Sequence, residues 1–431
     1  MTNTWTNWAG DQLCHPSEFL RPTSRDEVAE RVQLAARAGR TVRVAGAGHS
    51  FTDTVLTDGT LLSLDRMNRV LDIDTESGLV RVEAGMTLHE LSPILHEHGR
   101  ALPNLGDIDS QSVAGATATG THGTGVRLQN LSAGLHSIEL VLADGSIVEV
   151  NAGRDPEAWR SARVSVGALG VVTAVTLETV PAFVLEAIEL PIPLEDVLRD
   201  IDSYVDGNDH FEFFSFPHSP IALTKRNNRT DSVERSRPPA VAWLNDRFVQ
   251  NHALEAVCRL GRARPGLIPT INRTASRFAG RSHRIERSYR IFATPRLVRM
   301  AEMEYALPGE NAVDAIREVK EIAERPEFDV SFPIEVRWVA PDDAYLSPAG
   351  GRETCYIAVH VFEGMPWEPY FRAIEKLFDS FGGRPHWGKR HFQTAETLRH
   401  RYPEWDRFAA VRDRLDPERV FTNDYARRVL G

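Results

Sequence analysis

The sequence predicts an α+β fold on three observations: helices with marked ends, strands that alternate apolar and polar residues, and a hairpin that makes two strands antiparallel. The first helix opens at Ser24, with Glu27 three residues on in a capping-box pattern. Val28, Val32 and Ala35 recur at helical spacing, and Gly39 stands where a helix stops. TVRVAG (41–46) follows as a strand. LVRVEAG (79–85) alternates as another strand. A second helix opens at Thr87 and Glu90, presents Leu88, Leu91 and Leu95 on one face, and ends at Gly99. Pro93 inside it removes one backbone donor. HSIELVLADGSIVEV (136–150) reads as a hairpin turning at Asp144-Gly145.

A length of 431 residues allows two or three domains, and 42% hydrophobic with 26% charged residues suits a globular chain with a sizeable core. The net charge of -10 argues against nucleic acid as a partner, because a polyanion needs a concentrated basic face. No run of about 18 apolar residues suggests a membrane span. The first residues lack the basic and apolar regions of a secretory signal. Cys14, Cys258 and Cys355 are too few and too scattered for a disulfide framework, which points to a reducing, cytoplasmic compartment.

Between residues 104 and 125 the text becomes NLGDIDSQSVAGATATGTHGTG, rich in small residues and poor in core formers. Such a stretch suits backbone lying against a ligand; a flexible linker is the other reading, made less attractive by the flanking strands. The character changes again around Pro181, which marks a domain boundary. KRNNRTDSVERSRPP (225–239) reads as a polar surface loop. Arg273, Arg277, Arg281, Arg284, Arg287 and Arg290, with His283 among them, read as a solvated or interdomain face.

Three stretches carry chemistry. In VRVAGAGHSFTD (42–53), Gly46 and Gly48 follow a strand, but Phe51 stands where a dinucleotide fingerprint needs its third glycine. Ser50 to Asp53 open no amphipathic helix either, so a Rossmann site is excluded. What remains is a tight turn bearing His49, structural or functional. In GGRPHWGKRHF (382–392), Lys389 lies between His386 and His391 with no cysteine or carboxylate at metal-binding spacing, so no metal is expected. A basic surface turn is the alternative there. In DVSFPIEVRWVA (329–340), Phe332, Ile334, Val336 and Trp338 share one strand face and Ser331, Glu335 and Arg337 the other. A carboxylate beside a guanidinium stays ionised, which suits a proton acceptor, and equally a surface ion pair. ETCYIAVHVFEG (353–364) reads as a further strand on which His360 shares a face with Tyr356 and Phe362, as a packed histidine or a substrate contact.

In their order and spacing, NWAGDQ (7–12), GAGHS (46–50), SVAGATATGTHGTG (112–125), GALGVVTAVTL (167–177), IEVR (334–337) and HWGK (386–389) resemble the covalent-flavin sugar oxidases. These are the aldonolactone oxidases and dehydrogenases with the related alditol oxidases, of the vanillyl-alcohol-oxidase type of FAD fold. The resemblance runs nearly end to end. It implies a two-subdomain FAD-binding domain over 1–180, a substrate-binding domain over 181–384, and a C-terminal segment, 385–431, returning to the FAD. The middle domain is expected to hold an antiparallel sheet flanked by helices.

The same resemblance implies FAD bonded covalently to His49. Ala45, Gly46, Ala47, Gly48, Ser50, Gly106, Asp107, Ser112 and Gly115 would line the cofactor. So would Thr119, Gly120, Thr121, His122, Val171, Val172 and His386. Glu335, Arg337 and Lys389 would be catalytic. Glu335 would remove a hydroxyl proton while hydride leaves for flavin N5, Arg337 would orient substrate and offset charge on the reduced flavin, and Lys389 would bind hydroxyls or share that charge. Asp107 and His360 would also meet substrate. Asp107 stands where relatives often have serine, and Gly106 stands where residue size gates oxygen, a glycine leaning towards an oxidase. FPIEVRWVAPDDAYLS (332–347) is nearer the aldonolactone branch. The expected reaction is oxidation of an aldono-1,4-lactone, with oxygen or another acceptor taking the electrons. The alternatives are an alditol oxidase acting on a xylitol- or sorbitol-type polyol, and a non-catalytic flavin- or sugar-binding protein.

Overall fold

The structure, a computed structural model, describes residues 4–235, 252, 254–277, 280–294 and 296–431. Near the start, Glu18–Leu20, Thr60–Ser63 and Val42–Ala45 pair in parallel, with Thr60–Ser63 in the middle. A five-stranded antiparallel sheet follows in the order Ile147–Asn151, Leu135–Val141, Val171–Glu178, Leu79–Glu83, Val70–Asp74. The helix Arg25–Arg37 joins the two sheets: Val28, Val32 and Ala35 pack with Val42 and Leu62 from one and Val141 and Val171 from the other. Val420 and Phe421, far along the chain, close the same core.

The expected punctuation is present, with one altered bond. Ser24 Oγ accepts from the Glu27 amide at 3.2 Å, but the Glu27 carboxylate takes the Thr23 amide, so the box at this helix is only half made. The reciprocal box forms instead at Leu88–Glu97, where Thr87 and Glu90 cap one another. Pro93 lies within that helix, and the His89 carbonyl loses its helical donor there. The hairpin loop has three residues, Ala143 to Gly145; Gly145 takes φ +83°, a conformation glycine adopts without strain. In the small-residue stretch the chain also makes a short helix, Val113–Ala118, capped by Ser112.

A second, eight-stranded antiparallel sheet has the order Ser282–Arg287, Val184–Pro193, Ile221–Thr230, His210–Ser215, Ile334–Val339, Thr354–Phe362, Met300–Pro308, Arg384–Pro385. Its two faces differ in chemistry. Phe211, Phe213, Ile334, Val336, Trp338, Ile357, Val359 and Met303 point to an apolar core shared with the helices Ala312–Ala323 and Glu368–Ser380. Strand alternation therefore sends Glu212, Glu335, Arg337, His360, Glu302 and Glu304 to the other face. Register aligns them: Glu212 lies opposite Arg337, and Glu302 opposite His360.

Two expectations are corrected here. Residues 225–230 belong to the strand Ile221–Thr230, not to a surface loop, and Lys225 is on the buried polar face opposite Glu212. A run of polar side chains reads as a loop unless the buried surface it meets is itself polar. Arg284 is buried on the strand Ser282–Arg287, 3.5 Å from Glu189, so it is no part of a solvated face. Arg287 and Arg290 do remain near the surface, beside Glu234. Residues 236–239 and the side chain of Arg277 lie outside the described residues. Ser331 falls before the strand Ile334–Val339 and does not join Glu335 and Arg337 on it. Cys14, Cys258 and Cys355 are free and buried. Among the described residues no helix is long and apolar enough to cross a membrane.

Candidate active site

A cleft of about 1240 Å³, counted out to its open mouth, borders the parallel strands and the five-stranded sheet. Ala45, Gly46, Ala47, Gly48, His49 and Ser50 form one side of it; Ser112, Gly115, Thr119 and Val172 contribute to the rest. Gly46 has to be glycine, since a Cβ there would stand 2.5 Å from Ser112 Oγ. Gly48 takes φ +73° to make the turn. Among the described residues the amides of Ala47, Gly48, His49 and Ser50 donate to no carbonyl, which leaves a row of donors suited to an anionic group.

Both ends of the chain hold this turn in place. The Trp8 amide donates to the Gly48 carbonyl at 2.8 Å and Asn7 Nδ2 to that of Ser50 at 3.1 Å. From the other end, the Gly388 carbonyl accepts from the Phe51 amide at 2.7 Å. The His49 ring stacks on Trp8 with centroids 5.4 Å apart, and its Nε2 lies 2.7 Å from Ser110 Oγ. Burial, then the positive charge of Lys389, pushes the His49 imidazole down to about 4. At neutral pH it is uncharged and keeps a nucleophilic lone pair.

Lys389 also belongs to the polar face of the large sheet. Its Nζ lies 2.6 Å from Glu302 Oε2 and 5.2 Å above the Phe51 ring. Arg337 is the hub of that face: Nε donates to Glu212 Oε2 at 2.8 Å, and Nη2 meets Asp107 Oδ1 at 2.8 Å and the Glu335 carboxylate. Lys225 Nζ holds the other oxygen of Glu212 at 2.7 Å, and Arg296 holds the second oxygen of Asp107 at 2.6 Å. His360 Nε2 sits 3.5 Å from Glu302 and 3.9 Å from Glu335. Next along the face, His122 stacks on Tyr356 at 3.6 Å and places Nε2 3.1 Å from Glu304.

The carboxyl groups here are driven apart in acidity. Burial opposes the charge on Asp107, but Arg337, Lys225 and Arg296 outweigh it and hold the group well below the usual carboxylate range. Glu302 is likewise held at about 2, against burial, by Lys389 and His360. Glu335 goes the other way: burial raises it to about 7, because the lowering by Arg337 is offset by the negative charge of Asp107. Burial keeps His386 neutral, near 3, and its Nδ1 accepts from the Gly388 amide at 3.1 Å. The site thus holds one carboxyl group poised near neutrality beside others, Asp107 and Glu302, held ionised by their cationic partners, an arrangement that suits a proton acceptor.

Residues 175–429 match the sequence profile described as D-arabinono-1,4-lactone oxidase. The chain belongs to the aldonolactone oxidase family. Residues 16–151 of this family member match an FAD-binding domain. Over 431 residues, all of both chains, it is 50% identical to the L-gulono-1,4-lactone dehydrogenase of Mycobacterium tuberculosis. It is 35% identical to the L-gulonolactone oxidase of Bos taurus, over 98% of this chain and 97% of that one. It is also 35% identical to the alditol oxidase of a Streptomyces species, over the whole of both. Among solved structures, cholesterol oxidase from Brevibacterium sterolicum superposes with a TM-score of 0.83 at 17% identity, over 100% of this chain and 97% of that one, a likeness of fold alone. The fold is the α+β vanillyl-alcohol-oxidase type with a large antiparallel sheet, and the chain is an FAD-dependent aldonolactone oxidoreductase.

Within this family member, the sequence-derived residues fall in two groups. Ala45 to Ser50, Ser112, Gly115, Thr119 and Val172 line the cleft. Asp107, Glu335, Arg337, His360 and Lys389 gather on the sheet face, with His122 and His386 beside them. The Val171 side chain lies in the core with the helix Arg25–Arg37, and its neighbour Val172 lines the cleft. Gly120 packs by Pro348, Thr121 is buried, and neither borders the cleft. Gly106 lies against the His122 carbonyl, where a Cβ would stand at 3.1 Å.

Sequence reasoning missed Lys225, Glu212, Arg296, Glu302 and Glu304. AEMEY (301–305) did carry a signal, since its two glutamates alternate with apolar residues as Glu335 and Arg337 do. Arg43 was also missed; it lies beneath the cleft and donates to the Thr54, Val166, Gly167 and Phe421 carbonyls.

Proposed function

We propose that this chain oxidises L-gulono-1,4-lactone, with FAD lying in the cleft and bonded to His49, and with Glu335 as the base. FAD, when bound, would supply the acceptor for the hydride, which carries both electrons of the reaction. The protein's part is to bind, orient and take a proton. The observation that carries the reading is Glu335 near neutrality, beside Arg337 and His360 on a face where Lys225, Arg296 and Lys389 are each paired with a neighbouring carboxylate. A lactone hydroxyl placed there gives its proton to Glu335, and Arg337 and Lys389 stabilise the negative charge that develops. The neutral His49 and the unpaired amides of its turn support attachment there.

Asp107 favours the lactone over a polyol: its carboxylate is committed to Arg296 and Arg337 and offers no hydroxyl. Oxygen or another acceptor completes the cycle, and the bare Gly106 supports oxygen. A division into 1–180, 181–384 and 385–431 is part of the same reading, supported by a large sheet whose strands begin at Val184 and whose last edge strand, Arg384–Pro385, lies at the second boundary. A reducing, cytoplasmic compartment is part of the same reading, supported by three free cysteines.

Acid precipitation of the purified protein tests the attachment. Yellow colour should stay with the pellet, and in His49→Ala it should move to the supernatant. Colour in the wild-type supernatant removes the covalent bond. Product analysis with L-gulono-1,4-lactone, xylitol and sorbitol tests the substrate, and preferential turnover of a polyol overturns the lactone assignment.

A further inference from the structure

His360 meets acceptors at both ring nitrogens. Nδ1 lies 3.1 Å from the Pro333 carbonyl oxygen, so that nitrogen carries a proton. Nε2 looks towards Glu302 Oε1 at 3.5 Å and Glu335 Oε2 at 3.9 Å. A neutral ring with its proton on Nδ1 would aim the Nε2 lone pair at the nearer of these, the Glu302 carboxylate. Glu302 is fixed as an anion by Lys389, whose Nζ lies 2.6 Å from its other oxygen. The geometry is satisfied when Nε2 is protonated as well.

We propose that His360 works as an imidazolium anchored by Glu302, a positioning residue that holds Glu335 as a carboxylate ready to accept the substrate proton. This rests on the reading of Glu335 as the base. The charged groups around His360 come from every side: Glu302 on Met300–Pro308, Glu335 and Arg337 on Ile334–Val339, and Lys389, through Glu302, on the C-terminal segment. The Phe332 ring, 6.0 Å away, closes the apolar side. Burial works against a charge on His360, but the hydrogen bond and charge of Glu302, with the charge of Glu335, raise the group above its ordinary value. The same positive ring lowers Glu335. Glu302 therefore acts on Glu335 indirectly, and the sign of its effect reveals the route. As a bare negative charge, Glu302 would raise the Glu335 midpoint; acting through His360, it lowers it.

The test is the pH profile of anaerobic flavin reduction by L-gulono-1,4-lactone in the holoenzyme, for wild type, His360→Gln, Glu302→Gln and Glu335→Gln. The acidic limb should move up by about one pH unit in His360→Gln, so that one unit below the wild-type midpoint the rate, as a fraction of its own plateau, is about tenfold lower than the wild-type fraction at that pH. Glu302→Gln should move the limb in the same direction. A limb that stays or moves to lower pH in either variant overturns the proposal, and Glu302→Gln decides alone if His360→Gln does not hold flavin. Glu335→Gln separates the two readings. If it keeps the wild-type rate and limb, the base is wrong; if it loses them while the other variants leave the limb in place, only the role of His360 is wrong.

Discussion

Replacing Glu335 with glutamine should make the stability of the fold rise relative to wild type between acid and neutral pH, while disabling the enzyme. The Glu335 carboxyl is raised from 4.5 to about 7, chiefly by burial. The folded protein therefore binds this proton more tightly than the unfolded chain does. As pH rises from about 4.5, the unfolded chain releases the proton first, so stability falls until about pH 7 and is then level. At about 1.4 kcal/mol per tenfold, the total is about 3 kcal/mol. That figure is an upper bound, because the neighbouring carboxylates relax when one charge is removed.

Glutamine has no proton to lose, so the stability of Glu335→Gln relative to wild type should rise by up to about 3 kcal/mol between pH 4.5 and pH 8. For a chain of this size that is roughly 3 °C in the thermal midpoint. Comparing the two pH values cancels any fixed packing difference made by the amide. The assay is thermal unfolding of both holoproteins at the two pH values, alongside flavin reduction by L-gulono-1,4-lactone, which should slow by about a hundredfold or more. A variant whose relative stability does not change with pH, or falls as pH rises, refutes the reasoning that burial dominates at Glu335.

Asp107→Asn removes a negative charge that raises Glu335, so the acidic limb of flavin reduction should move to lower pH, the opposite of His360→Gln; an upward move contradicts the charge arrangement. Gly46→Ala puts a Cβ within 2.5 Å of Ser112 Oγ, and in the His49→Ala background, where no bond forms, the apoprotein should bind FAD about tenfold more weakly by titration than His49→Ala alone, equivalent to about 1.4 kcal/mol. Unchanged affinity would mean that this close approach is not needed by the cofactor. Arg43→Met leaves the Thr54, Val166, Gly167 and Phe421 carbonyls without their buried donor and should destabilise the protein by about 3 kcal/mol or more in thermal unfolding. A midpoint within a degree of wild type would show that these carbonyls find other donors.

Much of this architecture was legible because it is written locally. Ser24, Thr87 and Glu90 mark helix starts through bonds spanning three residues, and the two faces of IEVRWV follow from strand geometry. The turn at Gly46 to His49 was recognisable from its small residues, and its conformation follows from Gly48 at φ +73°. The charge partners were not legible in the same way. Arg337 finds Glu212 across 125 residues and His122 finds Glu304 across 182, distances over which a local pattern says nothing. Lys225 was misread for a related reason: a polar strand facing a buried polar site has the composition of a loop.

The most direct test of the account is anaerobic mixing of the yellow holoenzyme with L-gulono-1,4-lactone while the flavin absorbance is followed. The account predicts bleaching in wild type, with a rate that falls as pH drops below about 7 and that is lost in Glu335→Gln. Flavin that stays oxidised with this lactone and with other aldono-1,4-lactones, or that bleaches equally fast in Glu335→Gln, would contradict it.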